Sequence, residues 1–431
     1  MNEKDIKINE HGFKTKLARI LTNEKWSGLT IPLFCIVLML IVSSIFLLAL
    51  GRNPLSAFYS FLAGNGMAPK ASYGFGSGML SDFFQFLNVM APMLLASLAF
   101  IFAYRCGLFN IGIAGQMLLS GFMASITIGY MKDLPPFIAK PLVVLIGLLV
   151  GAALGAAVGF LKYKFNIHEV VSTIMINYII SYLTGFFINS RFVDPISRAS
   201  KTISASSRLT LTKVMIGGYY CNIPMGIILV IVVAFIVHFI FEKTVFGFEL
   251  RAVGSNRNAA SYAGINVGRQ IVFSMMISGM LAGLAGVTYY LGYTNQILPK
   301  TLAGMGYDAI ATALLGNSSP LGAILASMLI TIFQNGSNYM SSVLGVAKEI
   351  ASVITGILLL FSACGGFFRL VSKGHLDRQA DFKAAMEKRA AKIQAQIQKQ
   401  ADIQLGKTAQ KPEEEIAEEA GKEAEEGGAD R

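Results

Sequence analysis

The chain has 431 residues, 54% of them hydrophobic and 14% charged, whereas a soluble domain carries roughly 25% charge, so lipid is the solvent for most of it. The formal charge of +11 is not a nucleic-acid footprint, because the basic residues gather near the ends and in one long loop with no recognition motif beside them. Cys35, Cys106, Cys221 and Cys364 stand far apart without a CxxC pair, which argues against a metal cluster or a disulfide framework.

Residues 1–29 are polar and net basic, with Lys4, Lys7, Lys14, Lys16, Arg19 and Lys25, and are expected in the cytosol. A spanning helix needs about 20 mostly apolar residues. The first such run, 30–50, follows this charged segment without a small-residue cleavage site, so it reads as a retained helix and not a signal peptide. A loop containing Gly and Ser then leads to a second span at 83–104. The short basic turn Arg105-Cys106-Gly107 opens a third span, 108–131, which Pro135 and Pro136 separate from a fourth at 137–161. The fifth span is 170–190 and the sixth 222–241, with a long polar loop, 191–221, between them. After a polar segment at 242–269 come a seventh span at 270–291, a short eighth at 305–315, a ninth at 321–335 and a tenth at 350–368. GNSSP at 316–320 interrupts the eighth and ninth.

The fold class expected is therefore all-α: a polytopic membrane protein of about ten transmembrane segments, with its transmembrane domain over 30–368. Ten crossings return both termini to the cytosol, together with Arg105, Lys162, Lys164 and Arg251. The basic loop 191–221 then lies outside, long enough to escape the charge rule. The tail 369–431 is a separate cytosolic region. It is rich in Ala, Lys and Gln and helical through Gln404, then acidic and disordered from Pro412. Gly406-Lys407-Thr408 imitates the end of a phosphate-binding loop, but Ala401 occupies the position of the required first Gly and no strand precedes it.

Gly147, Gly151, Gly155 and Gly159 recur every four residues, and Gly279 and Gly283 repeat the spacing in the seventh span. Such a face lets two helix backbones approach closely, either within one bundle or between two protomers. The acids Asp82, Glu169, Asp308 and Glu349 fall near expected span ends, and His238, inside one, reads as a packing residue. The spans instead carry neutral polar groups. Asn88, Asn110, Gln116, Asn177, Ser274 and Ser278 are the candidate lining of a water-filled path for an uncharged polar solute, and equally candidates for hydrogen bonds between helices. Paired His ligands, a nucleophile motif and a catalytic carboxylate pair are all missing, so the chain does not read as an enzyme.

The segment 242–269 contains FGFELRAVGSNRNAASYAGINVGR. Asn256 or Asn258 can start a short helix there and Gly264 can end it. Ala259, Ala260 and Ala263 give it a narrow surface that a soluble partner could grip.

RAVGSNRNAASYAGI at 251–265, followed by SGMLAGLAG at 278–286, resembles the permease subunits of ATP-binding-cassette importers for simple sugars, branched-chain amino acids and nucleosides. GLFNIGIAGQ at 107–116, EVVSTIMINYI at 169–179 and GYDAIATALLGNSSPLGA at 306–323 are similar to the nucleoside branch. The resemblance implies a permease in a bacterial plasma membrane that forms the solute path but binds no cofactor. ATP and Mg would sit on a separate cytosolic ATPase. It also implies a second, related permease chain and an extracytoplasmic lipoprotein that delivers the solute. Gly254, Asn256, Asn258, Ala259, Ala260, Tyr262, Ala263 and Gly264 match the coupling helix that docks on the ATPase. Two departures stand out: Ala114 replaces an acid often found in the third span of the nucleoside branch, and the tail is not part of the common pattern. A sugar permease of the same class is the nearest alternative. An ion-coupled secondary transporter is the next, and it would need a mid-membrane charge that the sequence does not display.

Overall fold

Apolar runs become helices wherever lipid offers the backbone no other partner for its N–H and C=O groups. The computed structural model describes residues 13–22, 27–345 and 364–426, with 353, 356, 357, 360 and 361 between them. The chain divides into two compact units, 24–368, and 1–23 with 369–431.

In the larger unit α2 (Ser27–Ala49) is followed by α3 (Pro54–Gly64), bent by 118° from the preceding helix. Then come α4 (Met79–Arg105), α5 (Ile113–Ala124), α6 (Pro136–Phe165) and α7 (Glu169–Phe187). A two-stranded hairpin, β1 (Thr210–Ile216) and β2 (Tyr219–Pro224), precedes α8 (Met225–Lys243). The short α9 (Val245–Ser255) and α10 (Arg257–Tyr262) lead to α11 (Val267–Thr288), α12 (Met305–Leu315) and α13 (Pro320–Leu344). Helices α5, α7 and α11 each end in a π-helical turn, at Ser125–Gly129, Ile188–Phe192 and Tyr289–Thr294. In the smaller unit α1 (Phe13–Thr22) meets α14 (Gly365–Glu426), where Gln379 Nε2 donates to Thr15 Oγ1 at 3.0 Å.

This is a mostly helical, multi-pass membrane protein. By length and composition α4, α6, α7, α8 and α11 can each cross a membrane, and a sixth span arises if α2 and α3 count as one bent pair. Helix α5 with its π-turn and α12 are apolar but shorter. Nine of the 19 residues of the tenth expected span, 350–368, lie outside the described residues.

Three elements depart from the sequence reading. Helix α3 occupies part of what reads as a loop, its N-terminus capped by Asn53, whose side chain accepts from Leu55 N, with Pro54 at the first helical position. The loop 191–221 contains β-structure, so the chain is not purely α. Thr210–Ile216 carries strand formers, and Gly217 and Gly218 take φ of +57° and +85°, as a tight hairpin turn requires. The tail helix α14 continues past Gln404 through the segment expected to be disordered, where Ala and Glu are strong helix formers.

Burial ranks the helices. Within its spanning window α4 is 94% buried, against 33% for α6 and 28% for α8. Helix α4 is therefore the axis of the bundle, apolar on every side, and α6 and α8 turn much of their surface to lipid. Helix α6 nonetheless packs on α11 through its glycines. A Cβ at Gly151 would run into the carbonyl oxygen of Gly279, one at Gly155 into that of Met275, and one at Gly283 into that of Gly147. The glycine face is thus filled from within the chain, which leaves none of it for a second protomer. The seam brings α11 close enough to present its side chains to the centre.

Replacing Gly151 or Gly279 with Ala forces these two backbones apart and is expected to destabilise the protein by about 1–3 kcal/mol per site. Thermal unfolding in detergent checks this. Gly74→Ala, where nothing lies within 4 Å of the added carbon, should leave the midpoint unchanged.

Candidate functional site

The site begins where a helix stops. The third apolar run was expected to be one helix over 108–131, but α5 starts only at Ile113. Gly107, at φ +72°, reverses the chain after α4, with Leu108 N bonded to Ala103 O at 3.1 Å and Gly107 N to Tyr104 O at 2.9 Å. Residues 108–111 then run without helical hydrogen bonding, surrounded by helices. A backbone group left unpaired there has no water to turn to.

Two asparagines supply the missing partners. Asn110 Oδ1 accepts from Gly112 N at 2.9 Å, while its Nδ2 donates to Ser278 Oγ at 2.9 Å and Gln116 Oε1 at 3.1 Å. Ser278 Oγ donates in turn to Ala99 O on α4 at 2.6 Å. From α7, Asn177 Oδ1 accepts from Gly115 N at 2.9 Å and its Nδ2 donates to Ile111 O at 3.0 Å. Asn177 Nδ2 also reaches Tyr307 Oη on α12 at 3.4 Å. Gln116, fully buried, has no partner for its Nε2 among the described residues.

Four of the six expected path residues, Asn110, Gln116, Asn177 and Ser278, therefore gather around one break. Ser274 lies one turn along α11 and donates to Phe102 O at 3.2 Å. Asn88 is not part of this group. Its Nδ2 donates to Asn222 O at 3.2 Å, and Thr210 Oγ1 donates to its Oδ1 at 2.8 Å, so it fastens the hairpin to α4.

The structure adds partners that the sequence did not disclose. Asp308 falls in the first turn of α12, near a span end as expected, and is half-buried, with Gln334 Nε2 of α13 donating to its Oδ2 at 2.6 Å. The legible signal was on α13, where Ser327, Thr331, Gln334, Asn338 and Ser341 repeat at helical spacing. Ala114, the departure from the nucleoside-branch pattern, packs directly on Gly306 of α12, whose added Cβ would come within 2.8 Å of both its Cα and Cβ. A longer acidic side chain at 114 would push α12 away.

The segment 242–269 forms α9 and α10, set against the same break. Asn256 caps α10, accepting from Asn258 N and Ala259 N at 3.0 Å each. Gly264, at φ +83°, ends it, with Ile265 N bonded to Ala260 O and Gly264 N to Ser261 O, both at 3.0 Å. Tyr262 is 94% exposed, and Asn258, Ala259 and Ala263 are exposed beside it. Ala260 is not: it is buried against the chain's own core and supports the helix from beneath. Gly254 lies so close to α4 that a Cβ would meet the carbonyl oxygen of Arg105, and Arg257 NH2 donates to Gly107 O at 3.1 Å.

Comparison with known proteins gives a consistent picture. A family model described as the permease component of branched-chain amino acid transport systems matches residues 83–363. The nucleoside ABC transporter permease protein NupB of Lactococcus lactis subsp. cremoris is 34% identical over 348 residues, covering 79% of this chain and 92% of its own. The guanosine ABC transporter permease protein NupP of Bacillus subtilis is 35% identical over 350 residues, covering 81% and 97%. Its namesake NupQ from the same organism is 28% identical over 271 residues, covering 61% and 83%. No solved structure matches the chain.

Asn177→Ala strands the N–H of Gly115 and the C=O of Ile111, at a cost of about 1–3 kcal/mol for each buried group left unpaired. A fall in the detergent unfolding midpoint is the expected outcome, larger than that of Ser274→Ala, which strands only one carbonyl.

Proposed function

Because the chain belongs to the family of permease components of branched-chain amino acid transport systems, we propose that it is the membrane subunit of an ATP-driven nucleoside importer, forming the solute path while a partner hydrolyses ATP. The observation that carries the substrate class is the pair of nucleoside and guanosine permeases at 34% and 35% identity over most of both chains. The belt of Asn110, Gln116, Asn177, Tyr307 and Ser278 supports it, since amides and hydroxyls suit a neutral, hydrogen-bonding solute.

The proposed assembly has a cytosolic ATP-binding-cassette ATPase holding ATP and Mg, a second permease and an extracytoplasmic lipoprotein that delivers solute, in a bacterial plasma membrane. NupP and NupQ, two distinct guanosine permeases of one organism, favour a second permease different from this chain. Ten crossings follow if α5, α12, α13 and the run at 350–368 join the six candidate spans. The basic side chains Arg105, Lys162, Arg251, Arg257 and Arg269 then mark the cytosolic face, and both termini lie there.

Helices α9 and α10 are the proposed coupling element. Tyr262 is the anchor for the ATPase, with Asn258, Ala259 and Ala263 around it. Gly254 and Arg257 pass its displacement to Gly107, the turn that opens the helix break, so closure of the ATPase pair would move the break and the belt behind it.

Tyr262→Asp, at an exposed position, should leave insertion intact while ATPase copurification and guanosine uptake fall together by tenfold or more. Normal uptake with the ATPase bound would remove α10 as the docking helix. Arg257→Ala should separate the two functions: the ATPase stays bound, but less solute moves per ATP hydrolysed in reconstituted vesicles.

A further inference from the structure

Among the described residues, the other acids on the spanning helices are paired with cations. Asp82 meets Lys70 at 2.7 Å, Glu169 meets Lys162 at 3.0 Å, and Glu242 meets Arg251 at 3.3 Å. Asp308 makes no ion pair among the described residues and has the amide of Gln334 instead. A half-buried carboxyl group on an apolar helix, with no cation paired to it, is costly and marks a functional position more often than a packing one.

Its surroundings say what it is for. Along α13 the polar stripe changes character: Asn338 is exposed, Gln334 and Ser341 are half-buried, and Thr331 and Ser327 are fully buried. A polar surface therefore descends this helix from its Leu344 end, reaches Gln334, and is sealed below it. Asp308 stands at that floor. Its chain neighbour Tyr307 is 41% exposed, with its hydroxyl tied to Asn177, so the ring is held in place while much of it stays uncovered.

We propose that Asp308, positioned by Gln334, is a solute-contacting and specificity-determining residue whose carboxyl oxygens accept hydrogen bonds from the vicinal 2′- and 3′-hydroxyls of a ribonucleoside. The inference rests on the nucleoside-importer reading above. A carboxyl group offers more acceptor positions than the one Gln334 takes, and a cis-diol presents two adjacent donors to it. The Tyr307 ring beside it provides a face on which a base stacks without regard to its identity. A site built around hydrogen bonds to a hydroxyl discriminates strongly against the analogue that lacks it, because its own polar group is then left unpaired.

The test compares uptake of tritiated guanosine and 2′-deoxyguanosine at saturating solute by cells carrying the complete transporter and no other nucleoside uptake system. Wild type should favour guanosine. Asp308→Asn keeps the shape and removes one acceptor; it should lower guanosine uptake by tenfold or more and bring the ratio of the two solutes to within about twofold of unity. Gln334→Ala should shift the ratio in the same direction but less. Copurification of the ATPase with each variant verifies assembly. An assembled Asp308→Asn complex that keeps the wild-type ratio, or loses both solutes equally, overturns the assignment while leaving the nucleoside reading in place. Wild-type complex that takes up neither solute would instead overturn the nucleoside reading, and this inference with it.

Discussion

A polypeptide that leaves helical hydrogen bonding inside a bilayer must find every lost partner within the protein, and the centre of this molecule is organised by that requirement. The break at 108–111 frees backbone groups among packed helices. Asn110 satisfies one from within the break, and Asn177 satisfies two from a neighbouring helix. Asn177 could not do so unless α7 were close, and the amide of Asn110 is held in place by Ser278 of α11. The approach of α11 depends in turn on the glycine face of α6, which lets two backbones nearly touch. Close packing of small residues and satisfaction of the broken backbone are thus one problem, and either alone would leave the other unsolved.

The sequence disclosed the parts of this arrangement that depend on composition and little of what depends on contact. Apolar runs revealed the long helices, because length and hydropathy suffice there. Asn110, Gln116, Asn177 and Ser278 stood out as polar residues in apolar surroundings, but the same signal drew in Asn88, which serves the hairpin. The break itself was hidden, since GLFNIGIAG is as apolar as the helix that follows, and only Gly107 and Asn110 hint at it. The hairpin was legible in Gly217-Gly218 and the strand formers before it, yet the surrounding charges made it read as loop. Ala260 looked interchangeable with Ala259 and Ala263, because composition does not fix helical phase; the cap at Asn256 does, and it turns Ala260 inward.

The location of α9 and α10 gives these details a mechanical meaning. A docking element joined only to its own two flanking helices would move α8 and α11 alone. Here Gly254 and Arg257 also bear on the Arg105–Gly107 turn, where α4, the most buried helix, gives way to unwound chain. An irregular backbone between two rigid helices is the place where a small push is absorbed as a change of dihedral angles rather than transmitted as a rigid shift. On the proposed reading, the break is therefore both the lining of the site and its hinge.

The chemistry of the belt also bears on how tightly a path should hold its cargo. Each hydrogen bond between solute and protein contributes a net of about 0.5–1.5 kcal/mol once exchange with water is counted. Three or four such bonds give roughly 1.5–6 kcal/mol, a dissociation constant between about 0.1 M and tens of micromolar. That is too weak to capture a scarce nutrient and well suited to releasing one. A belt crowded with charges would bind more strongly and would need counterions to exist in lipid at all. On the proposed reading, one carboxyl group among amides and hydroxyls is a compromise: enough to read a hydroxyl pattern, too little to trap the solute. On that reading, high-affinity capture lies elsewhere, in the protein that delivers the solute, and the energy of ATP switches the path and does not pull cargo from a deep well.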